Sequence, residues 1–415
     1  MVAVSDPAAV AVKDPSADIR DDIAINSGVP ELMDKIWFHK TASAVIDAGR
    51  CVQCGACIAA CPSNSIEVAE DGLPTLLRMC TGCSGCWDFC PLAGMRPERL
   101  WKLAEGEGSK TEGLGMVRAA YSARALEPAA GAQDGGVVTA ILEELLVAGE
   151  IDGVLTVERQ GALRGRATIA STVDEIRESA GSVYEQTLPL ALPDFRKVSE
   201  GRRLAMVGTG CQITGLRALQ RYGWRDRQSA ANAVKVAIGL LCTRSFDGNR
   251  LLLRLAGSGV DLRLVKKLDV NKGILFVYGE DGQVLLERPV KEFGDASLLG
   301  CAECADFTAR LADISVGSIG SSEGWSTVFL RTEVGEKSWE MAQHRLVSEE
   351  TDQLATVRRL ERRNRRQAIR HLNRSFDPDA PLWISYSEHL QDYAGTDKEP
   401  VTPPDYRSHH YQTAC

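Results

Sequence analysis

Apolar positions in the middle of the chain alternate between two periods. From Val137 to Leu146 they fall at 137, 138, 141, 142, 145 and 146, the spacing of a helix that buries one face. Asp152–Val157 then forms a short apolar run that reads as a strand. Similar runs at Leu204–Val207, Val234–Leu241, Ile274–Tyr278, Ile314–Val316 and Thr327–Leu330 predict five more strands. Strands interleaved with amphipathic helices predict a mixed α/β, or α+β, body over residues 113–345.

The flanks depart from this pattern. Residues 1–40 are rich in Ala, Val and Asp and read as a loosely packed arm. Residues 41–104 lose the periodicity to cysteine and glycine and form a separate module, tied to the body by a Gly, Glu and Lys linker, Glu105–Gly115, that buries little. Residues 346–415 turn into a charged helix and a polar tail with Pro400, Pro403 and Pro404, expected to dock or stay unfolded rather than form a unit.

At 415 residues the chain has room for two or three domains and an ample core. It contains no run of eighteen apolar residues, so no membrane span is expected. The acidic leading segment (Asp6, Asp14, Asp18, Asp21, Asp22) does not resemble a secretory signal, which predicts a cytoplasmic protein. Its net charge of −8 argues against nucleic acid as a partner. Locally, Arg358, Arg359, Arg362, Arg363, Arg365, Arg366, Arg370 and Arg374 crowd one late helix, expected to be a solvated face or a subunit contact.

The cysteines carry the chemistry. Cys51-x2-Cys54-x2-Cys57-x3-Cys61-Pro62 is repeated as Cys80-x2-Cys83-x2-Cys86-x3-Cys90-Pro91. Two residues between thiolates let one tight loop aim three sulfurs at a cubane, while the fourth cysteine is carried to the other cluster. Crossed ligation follows: Cys51, Cys54, Cys57 and Cys90 for one [4Fe-4S], and Cys80, Cys83, Cys86 and Cys61 for the second. Zinc favours two separated Cys-x2-Cys knuckles and disulfides favour secreted domains, so neither matches this spacing. The module is thus expected to be a bacterial-type 2[4Fe-4S] ferredoxin. The six histidines fall in no motif, which removes the commonest general base.

Gly135-Gly136 precedes the first predicted helix, where amides at the helix start could meet a pyrophosphate with help from Thr139. Gly208-x-Gly210 follows a strand, but the third glycine of a dinucleotide fingerprint is replaced by Ile213, which disfavours NAD in that loop. Cys211, Cys242, Cys301 and Cys304 leave only Cys415 over among the thirteen cysteines. On spacing alone they suit a third cluster or ordinary buried core positions.

Six segments in order carry a resemblance: Gln133–Thr139, Ala180–Tyr184, Val207–Gln212, Leu241–Phe246, Gly300–Ala309, and Ala312–Ser318 continuing through Gly324–Thr327. From about residue 113 to 335 they resemble the beta subunits of coenzyme F420-reducing hydrogenase and F420-linked formate dehydrogenase, a family with members that carry a fused ferredoxin domain. The resemblance implies FAD in the body, held with the help of Ser182, Tyr184, Thr209 and Gln212. It also implies a third [4Fe-4S] on Cys211, Cys242, Cys301 and Cys304. Lys272-Gly273 is similar to the family's Lys-Gly stretch, so Lys266, Lys267 and Lys272 are candidates for a cationic strip beside the flavin or an anionic substrate tail. Two departures stand out: Gly210 replaces the family's usual proline, and Leu241 a commoner aromatic. The implied function is an iron–sulfur flavoprotein oxidoreductase that exchanges hydride at FAD, with coenzyme F420 or another small organic substrate, and single electrons with a redox partner or larger complex. A ferredoxin-dependent reductase of a tetrapyrrole-type substrate and a non-catalytic electron-transfer subunit remain alternatives. No catalytic side chain is assigned.

Overall fold

The structure is a computed structural model that describes residues 37–83, 85–93, 100–101, 104, 113–197, 201–221 and 228–370. Most of the expected arm, most of the linker and the tail beyond residue 370 lie outside the described residues.

The cysteine-rich module contains a small antiparallel pair, β1 (Ile66–Val68) and β2 (Pro74–Leu76), between two short helices, Ala56–Ala59 and Gly85–Asp88. The body is built on one eight-stranded sheet. Its strands are β3 (Ala119–Ala125), β4 (Gly153–Gln160), β5 (Arg164–Ala170), β6 (Leu204–Thr209) and β7 (Val234–Leu240). A separate three-stranded antiparallel sheet follows, of β8 (Lys267–Asn271), β9 (Ile274–Tyr278) and β10 (Val284–Pro289). The chain then returns to the main sheet with β11 (Ile314–Gly317), β12 (Ser326–Leu330) and β13 (Leu346–Glu350).

The main sheet runs β13-β3-β12-β11-β7-β6-β4-β5. Its centre, β4, β6, β7 and β11, is parallel, and its flanks are antiparallel. The central strands are apolar on both faces because both are covered. Val236 and Ile238 of β7 face the helices Val137–Val147 and Glu333–Ala342, whereas Val234 and Ala237 face the helix Gly210–Arg221. The six strands expected from the sequence are all present.

Two boundaries differ from the sequence expectation. Leu346–Glu350 pairs with β3 as the edge of the main sheet, so the body extends past residue 345. The helix Ala355–Arg370 then packs back through Val357, Glu361, Asn364 and Ala368 while Arg358, Arg359, Arg362, Arg363 and Arg366 stay exposed. A run of arginines reads as solvated, but every third or fourth position between them is small, apolar or bonded, which is enough for a packed helix.

The cysteine module is likewise not a separate unit. Val52, Cys54, Ala56, Trp87, Phe89 and Leu92 share one buried cluster with Cys211, Ile213, Leu216 and Ala305 of the body. Contact is backbone-close: a Cβ on Gly215 would stand 2.9 Å from the Ala56 Cβ, and one on Gly300 would overlap the Arg50 carbonyl. Among the described residues, no helix is long and apolar enough to cross a membrane.

Candidate functional site

The structure brings the cysteines together in the crossed sets. Cys61, Cys80, Cys83 and Cys86 line one cavity with Ser63, Ser65 and Leu76. Cys51, Cys54, Cys57 and Cys90 line a second with Thr41, Val45 and Leu92. Among the described residues no three His, Cys, Asp or Glu side chains converge on a point one metal ion could fill. The sulfurs instead surround a space, as four thiolates bound to separate corners of a cubane must.

Donors face these sulfurs. The amide of Gln53 donates to Cys51 Sγ at 3.4 Å, that of Ser65 to Cys61 Sγ at 3.3 Å, and those of Phe38 and Gly82 to Cys80 Sγ at 3.4 Å. Thr41 Oγ1 lies 3.3 Å from Cys86 Sγ. Gln53 adopts a φ of 52° and Gly55 one of 83°, left-handed turns that fold the loop around its sulfurs. Donors of this kind favour the thiolate over the thiol.

Cys211 opens the helix after β6 and Cys242 follows β7, so both stand at the carboxyl ends of neighbouring parallel strands, where open α/β sheets place their ligands. Cys301 and Cys304 come from the turn Leu299–Glu303 and its C-cap. Burial pushes the Cys242 thiol up to about 12, with Cys211 adding; it also raises Cys301, with Cys242 and then Cys211 adding, and Cys304, with Cys211, Asp306 and Cys301 adding. Cys211, Cys301 and Cys304 pack on one buried cluster, and Ser245 touches both Cys242 and Cys301.

The three sets form a row. Cys54 and Cys90 share one buried cluster with Cys211, against which Cys301 and Cys304 pack, so the body set abuts the first module set. Cys57 packs on the cluster that holds Cys61, Cys86 and Cys80, which joins the first set to the second. A buried ion pair fixes the join to the body: Arg50, beside Cys51, donates to both oxygens of Glu303 at 2.8 to 3.3 Å, with side chains 5% and 9% exposed. Asn364 of the Ala355–Arg370 helix donates to the Cys304 carbonyl at 3.0 Å from the other side.

Gly210 also has its reason in this region. A Cβ there would stand 2.8 Å from the carbonyl and a carboxyl oxygen of Asp306, which is 2% exposed. Proline in its place would meet the same obstruction.

The expected flavin residues separate into two groups. Gly135, Gly136, Thr139, Ser182 and Tyr184 gather with β8: Gln133 Nε2 donates to Asp269 Oδ1 at 2.6 Å, and the Val270 amide donates to Tyr184 Oη at 2.8 Å, with Ser182 bonded beside it. The amide of Gly135 donates to Ser326 Oγ at 3.2 Å and that of Gly136 to the Gln133 carbonyl, so these two are already used. The helix Val137–Val147 has no side-chain cap, and among the described residues no acceptor is bonded by the amides of Val137, Val138 and Thr139. The open amides are thus those of the helix start itself, which includes Thr139. Thr209 and Gln212 lie in the second group. Thr209 Oγ1 is 3.3 Å from Cys211 Sγ, and the Gln212 side-chain amide is spent on the Thr209 amide and the Thr187 carbonyl.

The three lysines lie on the β8–β9 hairpin. Lys267 is half-buried beside Asp134. Lys266 is exposed and pairs with Glu280 at 3.1 Å, and Lys272 (φ 48°) with Gly273 (φ 81°) forms the hairpin turn. Asp134 sits nearby, its carboxyl held above the usual range by burial and then by Asp269.

Comparison with known proteins decides the family. Residues 120–192 and 201–353 match the N-terminal and C-terminal models of the coenzyme F420 hydrogenase/dehydrogenase beta subunit. The chain belongs to this family. Residues 43–100 match a 4Fe-4S dicluster domain, so an iron–sulfur ferredoxin domain precedes the family body. A subunit of the F420H2 dehydrogenase of Methanosarcina mazei is 30% identical over 72% of this chain and 83% of its own length. The coenzyme F420-dependent sulfite reductase of Methanocaldococcus jannaschii is 33% identical over 71% of this chain, but only 46% of that longer protein is matched. The beta subunit of coenzyme F420 hydrogenase in Methanothermobacter thermautotrophicus is 35% identical over 49% of this chain and 73% of its own length. A chain of the F420-reducing [NiFe] hydrogenase complex from Methanosarcina barkeri has the same fold, with a TM-score of 0.58, 28% identity, and coverage of 62% of this chain and 92% of its own.

Sequence reasoning missed Arg50, Glu303, Gln186 and Ser245. Ser245 falls inside one of the six segments but has no spacing that marks a role, and no local signal links Arg50 to a residue 253 positions away.

Proposed function

We propose that this chain converts between hydride chemistry at a bound FAD and single-electron transfer through three [4Fe-4S] clusters, with coenzyme F420 as its organic substrate. The observation that carries the reading is the unbroken row of three cysteine sets, one end of which lies at the carboxyl ends of β6 and β7. The residues present fit the clusters: twelve cysteines in three groups, amides directed at sulfur, and glycines where the loops close. FAD, when bound, supplies the exchange between two-electron and one-electron steps.

The chain's own residues do the holding. The free amides of Val137, Val138 and Thr139 suit a pyrophosphate, and Tyr184 and Lys267 stand beside that helix start. Lys267, Lys266 and Lys272 give the hairpin a cationic strip for an anionic substrate tail, although Glu280 offsets Lys266. Relatives named for F420H2 dehydrogenase, F420 hydrogenase and F420-dependent sulfite reductase support F420. The hydrogenase-complex relative favours a second reading, in which the chain feeds electrons to a larger partner.

The test is anaerobic reduction of an artificial one-electron acceptor by reduced F420, beside NADH and NADPH, with FAD and iron measured on the same sample. Reduced F420 alone is expected to support turnover. Activity with NADH and not with reduced F420 overturns the substrate. Bound FAD that only dithionite reduces favours the partner-fed reading.

A further inference from the structure

The third cysteine set has a polar neighbour that none of the motifs contains. Gln186 is 9% exposed and lies two residues after Tyr184, on a segment held by the Gln186 amide donating to the Phe246 carbonyl and the Phe246 amide to the Tyr184 carbonyl. Its Nε2 lies 3.5 Å from Cys211 Sγ and 3.4 Å from Thr209 Oγ1, which is itself 3.3 Å from the same sulfur. Its Oε1 accepts from Ser245 Oγ at 2.7 Å. The sulfur sets the amide orientation: a thiolate accepts and cannot donate, so the NH2 faces Cys211 and the amide oxygen turns to the Ser245 hydroxyl, which can donate to it.

Ser245 extends the contact. Its backbone amide donates to Cys301 Sγ at 3.5 Å, and its hydroxyl lies 3.9 Å from Cys242 Sγ. One buried Gln–Ser pair therefore borders three of the four thiols. We propose that Gln186 is a positioning residue that sets the redox potential of the third cluster and aligns the cluster with the Ser182–Tyr184 segment. The proposal rests on the reading of Cys211, Cys242, Cys301 and Cys304 as ligands of a [4Fe-4S].

The physical reason is charge. Reduction adds an electron to a cluster whose charge is shared over its thiolates, and N–H donors to sulfur stabilise that added charge and raise the potential. Gln186 is a stronger candidate than the backbone donors because its amide is held by a second side chain and its removal leaves the chain path unchanged. Gln186→Leu keeps the approximate volume and removes the donor. Ser245→Ala keeps the backbone donor to Cys301, releases the hold on Gln186 and removes the longer hydroxyl contact to Cys242.

The experiment is an anaerobic redox titration of the holoprotein followed by electron paramagnetic resonance, with iron counted on every sample. The step lost in a Cys301→Ser/Cys304→Ser variant identifies the third cluster. Gln186→Leu is expected to keep its iron and to lower the reduced-to-oxidised ratio of that step at least tenfold at a fixed potential, equivalent to about 59 mV for one electron. Ser245→Ala is expected to shift the same step in the same direction by less. An unchanged potential with full iron overturns the role of Gln186 and leaves the cluster in place. Loss of iron in both variants shows a merely structural role. Should Gln186→Leu fail to fold, Ser245→Ala decides: no shift refutes the proposal. A parent protein with only about eight irons removes the third cluster itself, and is thereby distinguishable from failure of Gln186.

Discussion

Removing the Glu303 carboxylate isolates one of the few buried charges in the molecule. Arg50 is 4% exposed and Glu303 7%. Arg50 keeps a bond to the Ala44 carbonyl at 2.9 Å after the change, but it loses both oxygens of its bidentate partner. Breaking a buried pair by deleting one partner costs about 3 to 5 kcal/mol, because the remaining charge loses its opposite charge in a site shielded from water. The cost should appear locally, in the turn that carries Cys301 and Cys304, where the Cys301 amide donates to the Leu298 carbonyl and the Cys304 amide to the Cys301 carbonyl. At about 1.4 kcal/mol per tenfold, Glu303→Ala should speed native-state hydrogen exchange of these two amides roughly 100-fold or more, with β6 amides unchanged as the control. Replacing both partners, Arg50→Met with Glu303→Leu, should recover most of the protection, since well-packed apolar substitutes for a buried pair are often neutral. Exchange in Glu303→Ala within about threefold of the parent would refute the reasoning, and the module would then be held by apolar packing alone.

Three further outcomes are expected. Anaerobically purified protein should carry close to twelve irons by the count of twelve grouped thiols, and Cys301→Ser/Cys304→Ser should lose about four; an unchanged count shows those cysteines to be packing residues. Gly210→Ala should lower stability in urea by about 1 to 3 kcal/mol, because its Cβ would stand 2.8 Å from Asp306 backbone and side-chain oxygens; a loss within about 0.5 kcal/mol contradicts the close approach. Asp134 has a folded pKa raised by burial and by Asp269, so its contribution favours the fold below the ordinary carboxylate pKa and is lost as pH rises through the raised value. Asn tolerates its left-handed φ of 49°, so Asp134→Asn should raise the melting temperature more at about pH 7.5 than at about pH 4, and a larger gain at the acid end would reverse the sign argument.

The parts of this molecule that are readable in the sequence are those with a short repeat or a strong period. The ferredoxin spacing determines which cysteines share a loop, and continuous apolar runs mark the buried central strands. β3 escapes such a reading because Ala119–Ala125 is built mostly of small residues, which weakly favour strands, and β5 because Arg164–Ala170 is an edge strand whose apolar positions are interrupted by two arginines, a glycine and a threonine. β8 and β10 escape for a related reason, each carrying charged residues through a half-exposed sheet. A Gly-Gly pair before a helix reads as room left for a ligand at the helix start. Gly135 is instead a glycine because a Cβ there would stand 2.5 Å from the Ala123 carbonyl, and its amide is occupied by Ser326. Long-range pairs such as Arg50 with Glu303 and Gln186 with Ser245 leave no mark on local pattern.

The shared core between module and body bears on how electrons would cross the molecule. A ferredoxin module on a free linker would meet the body at varying distance, and its electron exchange would depend on encounter. Here the first cysteine loop is joined to the Cys301–Cys304 turn by a bidentate ion pair and by a glycine that leaves room for the Arg50 carbonyl, and to the helix Gly210–Arg221 by the Ala56–Gly215 contact. None of these survives a shift of even one ångström, since each depends on atoms already at contact distance. The second cysteine set, by contrast, sits where Leu76 and Leu77 are exposed and Met79 is 88% exposed. The row of sets is therefore rigid where it enters the body and open where it reaches the surface. That polarity would suit the proposed converter: a fixed internal spacing from turnover to turnover, and an outer end that an exchangeable one-electron partner could approach.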